Sequence, residues 1–81
     1  MRVRVHFWSY LQDVVGSSSA EVEVADGARV SDVLEATWKR WPVLGTMRAS
    51  TLVAVDVDYA EPGRCLVAGE EVSLFPPVQG G

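Results

Sequence analysis

The residues with the strongest claim to chemistry stand at the end of the sequence, in "FPPVQGG", Phe75 to Gly81. Pro76 and Pro77 cannot continue a central strand and favour the extended polyproline II form. At about 3.1 Å per residue, the segment from Pro76 to Gly81 reaches on the order of 18 Å beyond its root. Gly80 and Gly81 have no Cβ, so their backbone can pass through a channel too narrow for any side chain. The reactive group expected of such an arm is the terminal carboxylate of Gly81.

Other chemistry-bearing residues read as structural. His6, the one histidine, alternates with the inward residues of a strand and is expected to be a solvated strand residue, not a base or ligand. Asp56 and Asp58 in "DVD" have the spacing of a metal or acid–base pair, but fit a hairpin turn with solvated carboxylates better. Cys65 lies beside Arg64, so a reactive thiol is one reading of it. With no second cysteine and no nearby histidine it is expected to be a small apolar filler. Trp38 and Trp41 have the spacing of a core stripe. There is no Gly-rich phosphate loop, no "GxSxG" elbow and no "CxxC", so the chain is not expected to be a catalyst on its own.

The elements that must carry the arm are legible. In "MRVRVHFW", Val3, Val5 and Phe7 alternate with Arg2, Arg4, His6 and Trp8, the period of a half-buried strand. "SYLQDVVG" then gives one or two helical turns ending on Gly16 as a C′ residue. A second strand follows in "AEVEVA". "DGARVSDVLEATWKRWP" carries Val30, Val33, Leu34, Thr37, Trp38 and Trp41 at spacings of three and four, predicting the one long helix, with Pro42 as its stop. Ser31 could cap it, or Asp32 with Glu35 could form a capping-box variant. "VLGTMRAS" reads as loop and "TLVAVDV" as a strand of a sheet interior. "DYAEPGRCLVAGE" has room for a short edge strand at most, and "EVSLF" is the final strand. In it Val72 and Leu74 face one way, Ser73 and Phe75 the other.

The expected division is therefore a folded domain over residues 1–75 and a tail over 76–81. A single helix of about three turns covers one face of a four- or five-stranded mixed sheet, which makes the fold α+β. The helical crossover between strands two and three excludes a meander. A ferredoxin-like fold would need a second long helix, so the ubiquitin-like β-grasp fits best. If strands one and five are neighbours, Trp8 and Phe75 lie together on the uncovered face at the root of the tail, and Tyr59 extends the patch, a surface suited to a protein partner; the alternative is that these rings pack under the helical turn of Leu11 to Val15.

Composition narrows the function classes. The 81 residues are 48% hydrophobic and 22% charged, as in an ordinary globular domain. A formal charge of −4 and the lack of a basic stripe argue against nucleic acid and favour a partner with a basic cleft. The single cysteine excludes an internal disulfide and leaves a zinc site without its usual ligands. Apolar stretches are far short of the roughly 20 residues of a membrane span, and Met1 leads straight into a strand pattern, not a signal sequence. The expectation is a cytoplasmic protein.

"GEEVSLFPPVQGG", Gly69 to Gly81, resembles the C-terminal signature of molybdopterin synthase small subunits, within the wider group of ubiquitin-like sulfur carriers. "VHFWSYLQDVVG" and "LVAVDVDYA" are also similar to that family, so the resemblance spans nearly the whole chain. It implies a β-grasp whose last glycine, here Gly81, is adenylated with ATP by an E1-like adenylyltransferase and converted to a thiocarboxylate. It implies further that the large synthase subunit binds the tail, uses the sulfur to build the dithiolene of molybdopterin, and forms a heterotetramer of two small and two large subunits. No cofactor bound to this chain itself is implied. The sequence departs from the family pattern at Gln12, where an arginine is common, and at Asp56-Val57, where an Asn-Gly-like turn is usual. Related carriers serve thiamine, cysteine or tungsten-cofactor pathways, and a ubiquitin-like protein modifier is the rival class.

Overall fold

The computed structural model describes residues 1–77. Residues 78–81, and with them the expected roles of Gly80 and Gly81, lie outside the described residues. The order of elements is β1 (Arg2–Phe7), α1 (Leu11–Val15), β2 (Ser19–Glu23), α2 (Val30–Arg40), α3 (Pro42–Gly45), a 3₁₀ turn (Arg48–Ser50), β3 (Leu52–Val55), β4 (Asp58–Tyr59) and β5 (Val72–Phe75). The strands form one sheet in the order β2-β1-β5-β3-β4. Its central pair, β1 and β5, is parallel, and all other neighbours are antiparallel.

The alternation read in β1 is the alternation observed: Val3, Val5 and Phe7 are buried, while Arg2 and Arg4 are exposed. Register extends this across the sheet. Val5 faces Val72 and Phe7 faces Leu74, while Val55 faces Val72 and Val53 faces Leu74, so one face is a continuous layer of branched side chains. Helix α2 lies on that layer through Val30, Val33, Leu34 and Thr37. Thr37 is buried without cost to its hydroxyl, which donates to the Val33 carbonyl at 2.8 Å. Leu11, Leu44 and Leu66 close the ends of the core. Trp41 meets Phe7 edge-on, with ring centroids 5.2 Å apart at 76°, and both Trp38 and Trp41 pack on the core while staying partly open to solvent.

Gly16 ends α1 as read, with φ at 86° and its N–H donating to the Gln12 carbonyl. Two readings of the helical region need correction. Helix α2 is capped neither by Ser31 nor by an Asp32–Glu35 pair: it starts at Val30, and the Asp32 carboxylate reaches back to the Arg29 N–H at 2.8 Å. Pro42 ends α2 but does not lead into a loop, because its fixed φ suits the first position of a helix, and α3 with the 3₁₀ turn follows. Leu44, buried in the core, holds that short helix in place. Among the described residues no helix is long and apolar enough to cross a membrane.

Candidate functional site: the outer sheet face at the root of the tail

The face of the sheet that α2 does not cover is divided in two. On β1 and β2 it carries charge: Arg2 stands 3.4 Å from Glu23, Arg4 stands 3.8 Å from Glu21, and Arg4 also donates to Ser19 Oγ at 3.1 Å. On β5, β3 and β4 it is apolar. Phe75 is paired with Leu52, Ser73 with Ala54, and Ala54 in turn with Tyr59, which places these side chains on one surface. Trp8 completes it from the far side, with its ring stacked on Phe75 at 5.6 Å between centroids and 12° between planes.

The residues of this surface are more open than a core would allow. Trp8 is 47% exposed, Tyr59 78% and Val57, at the hairpin tip, 91%. Ala54 and Ser73 form the floor and are buried. A shallow cavity of about 310 Å³ lies between Ala54, Asp56, Val57, Tyr59 and Phe75. Beside Trp8 a second recess of about 230 Å³ is lined by His6, Phe7, Trp8, Gln12 and Ser18, so Gln12 borders the aromatic pair. The two predicted aromatics, Trp8 and Phe75, are thus brought together, and Tyr59 lies on the same face across β3. Pro76 and Pro77 continue from Phe75 outside any strand and are half-buried.

Backbone geometry explains how these positions are held. The Trp8 N–H donates to the Leu74 carbonyl at 3.1 Å, which ties the end of β1 to the end of β5. Ser9 then turns the chain away at a φ of 56°, a left-handed conformation uncommon outside glycine. Asp56 does the same at the β3–β4 hairpin, with φ at 53°, and its Oδ1 accepts the Glu71 N–H at 3.0 Å. The turn reading of Asp56 and Asp58 therefore holds, with Asp58 opening β4. The loop before β5 is fixed by Glu70, which takes both guanidinium nitrogens of Arg64, at 3.2 and 2.7 Å, and the Val67 N–H at 2.7 Å. These bonds hold the Glu70 carboxyl below the usual carboxylate value, the Arg64 hydrogen bond contributing most.

Two side chains sit otherwise than expected. His6 is half-buried and its Nε2 pairs with the Glu71 carboxylate, at the border between the charged and apolar halves. Cys65 is exposed, not a filler: it forms an isolated bridge with Arg29 in a loop whose buried anchor is the next residue, Leu66. Sequence reading missed Leu52, Ala54 and Val57 as parts of the surface. The uniformly apolar run "TLVAV" shows no alternation, and only the register reveals that Leu52 and Ala54 share the outward parity of Phe75.

A mixed five-stranded sheet with a parallel central pair, one long crossing helix and an apolar outer face at the C-terminal strand is a ubiquitin-like β-grasp. The chain belongs to the ThiS family, whose profile matches residues 5–81. It is 28% identical to a molybdopterin synthase sulfur carrier subunit of Chlamydomonas reinhardtii, over the full length of both chains. It is 34% identical to small archaeal modifier protein 1 of Haloferax volcanii, with 88% of this chain and 91% of that one covered. The crystal structure of that modifier from Haloferax volcanii superposes with a TM-score of 0.88 at 30% identity, covering 100% of each chain.

Proposed function

We propose that this ThiS-family chain is the sulfur-carrier subunit of a molybdopterin synthase, with Gly81 as the residue that carries sulfur. The observation that carries the reading is the apolar half-face converging on Phe75, from which Pro76 and Pro77 leave the sheet. A docked body raises the local concentration of a tethered tail, so the tail itself needs few contacts. Trp8, Phe75 and Tyr59 form the docking surface, Pro76 and Pro77 project the tail, and Gly80 with Gly81 enters the partner's site. Family membership and the likeness to the Chlamydomonas sulfur carrier support the assignment.

The chemistry needs activation because a carboxylate is a poor electrophile. A Gly81 carboxylate oxygen attacks the α-phosphorus of ATP and pyrophosphate leaves. A sulfur nucleophile then attacks the acyl carbon, AMP leaves with the bridging oxygen, and Gly81 ends as a thiocarboxylate. An E1-like adenylyltransferase holds the ATP, and the large synthase subunit uses the sulfur to form the dithiolene of molybdopterin. The carrier binds no cofactor and is not an enzyme by itself; both partner reactions belong to the cytoplasm.

Intact-mass measurement after incubation with the adenylyltransferase, ATP and a sulfur source tests this: one oxygen is replaced by sulfur. A chain lacking Gly81 stays unchanged, and if it gains sulfur the proposal fails. A second reading is favoured by the 34% identity to the archaeal modifier. In it the activated Gly81 is joined to an amine of another protein, and isopeptide adducts without any thiocarboxylate form would support it instead.

A further inference from the structure

A second surface of unusual content lies at the end of α2. Lys39, Arg40 and Arg48 gather there, in a chain with seven basic residues and a formal charge of −4. Among the described residues none of the three is in an ion pair. Arg40 lies 4.5 Å over the Trp41 ring and donates to the Glu21 carbonyl at 3.0 Å. Arg48 lies 5.8 Å from the centre of the Trp38 ring. Lys39 and Arg48 share an open depression of about 690 Å³ with Trp38, Ala36 and the carboxylates of Glu23 and Glu35.

Amine nucleophiles are scarce on this molecule. Its other basic side chains are arginines, whose guanidinium stays protonated and does not attack carbonyls. Lys39 is the one lysine, and it is exposed. The α-amine of Met1 is occupied: it donates to the Val24 carbonyl at 2.8 Å and lies 3.5 Å from Asp26 Oδ1. An acyl group presented to this surface therefore meets a single open amine, beside a guanidinium that can hold an anionic leaving group or the developing oxyanion.

We infer that Lys39 is an acyl-acceptor site, at which the activated Gly81 carboxyl of a second copy of this chain is captured as an isopeptide. The inference rests on the reading of Gly81 as an activated carboxyl. The deprotonated Lys39 Nζ attacks the Gly81 carbonyl carbon, the C–N bond forms, and the bond to the leaving group breaks. That group departs as AMP from an acyl-adenylate or as a thiolate from a thioester, and the amine's proton passes to it or to solvent. No oxidation is involved. An end made of two glycines suits the depression, since no side chain obstructs its approach.

The test uses the full chain prepared with a thioester at Gly81 and with Cys65→Ser to prevent thiol exchange, held at mildly alkaline pH without any activating enzyme. The expected product is a linked dimer with the mass of two chains less one thiol, and peptide mapping places Gly81 on Lys39. Lys39→Arg is expected to lower its yield about tenfold or more, and Arg48→Ala to slow it several-fold. Dimer formation by Lys39→Arg at the parent rate overturns the inference. So does a Lys39 acylation rate unchanged in denaturant, because the depression would then contribute nothing. Adenylation of Gly81 is measured separately, as ATP–pyrophosphate exchange with the adenylyltransferase, so a failure there condemns the carrier reading and not the acceptor site.

Discussion

Removing either ring of the Trp8–Phe75 stack should weaken the fold by an amount that depends on the presence of the other. Trp8 is 47% exposed, so truncation to alanine forfeits the burial of about half of a tryptophan's surface. An aromatic side chain buries on the order of 150–250 Å² when fully covered, and half of that at about 25 cal/mol per Å² gives an upper bound of roughly 2–3 kcal/mol. The parallel stack, 5.6 Å between centroids and 12° between planes, adds roughly 0.5–1.5 kcal/mol beyond area. Trp8→Ala should therefore cost about 2–4 kcal/mol, and the Trp8→Ala/Phe75→Ala pair should cost about 1 kcal/mol less than the two single changes together. Urea unfolding followed by far-ultraviolet circular dichroism measures all four proteins, because tryptophan fluorescence would lose one of its reporters. If the two changes add to within about 0.3 kcal/mol, the rings do not support each other and the outer face is not a preorganised surface.

Trp38 carries a buried indole N–H that has no hydrogen-bond partner among the described residues. Trp38→Phe removes the orphan donor and most of the ring stays, so it should cost under about 1 kcal/mol by urea unfolding. Asp56→Ala leaves a Cβ at a φ of 53° and takes the acceptor from the Glu71 N–H. It should destabilise by about 1–2 kcal/mol, with Asp56→Asn restoring most of that in the same assay. The Glu70 carboxyl titrates below its usual value near 4.5 because Arg64 and the Val67 N–H hold its charged form. Its contribution is therefore complete above that value and disappears as pH falls through the lower, folded-state pKa. Thermal melts between neutral and strongly acidic pH should show a shallower acid loss for Glu70→Gln than for the parent, and equal slopes would refute the linkage.

Strand β1, helix α2 and the Gly16 cap were legible because each is a local pattern: Val3, Val5 and Phe7 at period two, Val30, Val33, Leu34 and Thr37 at helical spacing, a glycine after the last turn. Helix α3 was not, since four residues hold too few positions to show a period and its stability comes from Leu44 reaching the core. The His6–Glu71 pair joins residues at opposite ends of the sequence and depends on register alone. Cys65 was misread because the small side chain said nothing of direction, whereas the neighbouring Leu66 takes the inward position. At the candidate site the aromatic members followed from strand parity, and Leu52 and Ala54 were hidden by the uniformly apolar run that contains them.

The topology makes the meeting of Trp8 and Phe75 a necessity and not a coincidence of packing. Because β1 and β5 are parallel and adjacent, both strands leave the sheet at the same edge, so the residue after Phe7 must lie beside the end of β5. Phe7 points into the core opposite Leu74, and the alternation of a strand then sends Trp8 and Phe75 to the opposite face. The left-handed turn at Ser9 carries the chain off at once into α1, which leaves the Trp8 ring uncovered by its own sequence neighbours. Helix α2 is committed to the other face by Val30, Val33 and Leu34 and cannot shield it. A chain with this strand order thus exposes an aromatic pair where its tail begins, and a partner that binds the pair receives the direction of Pro76 and Pro77 along with it.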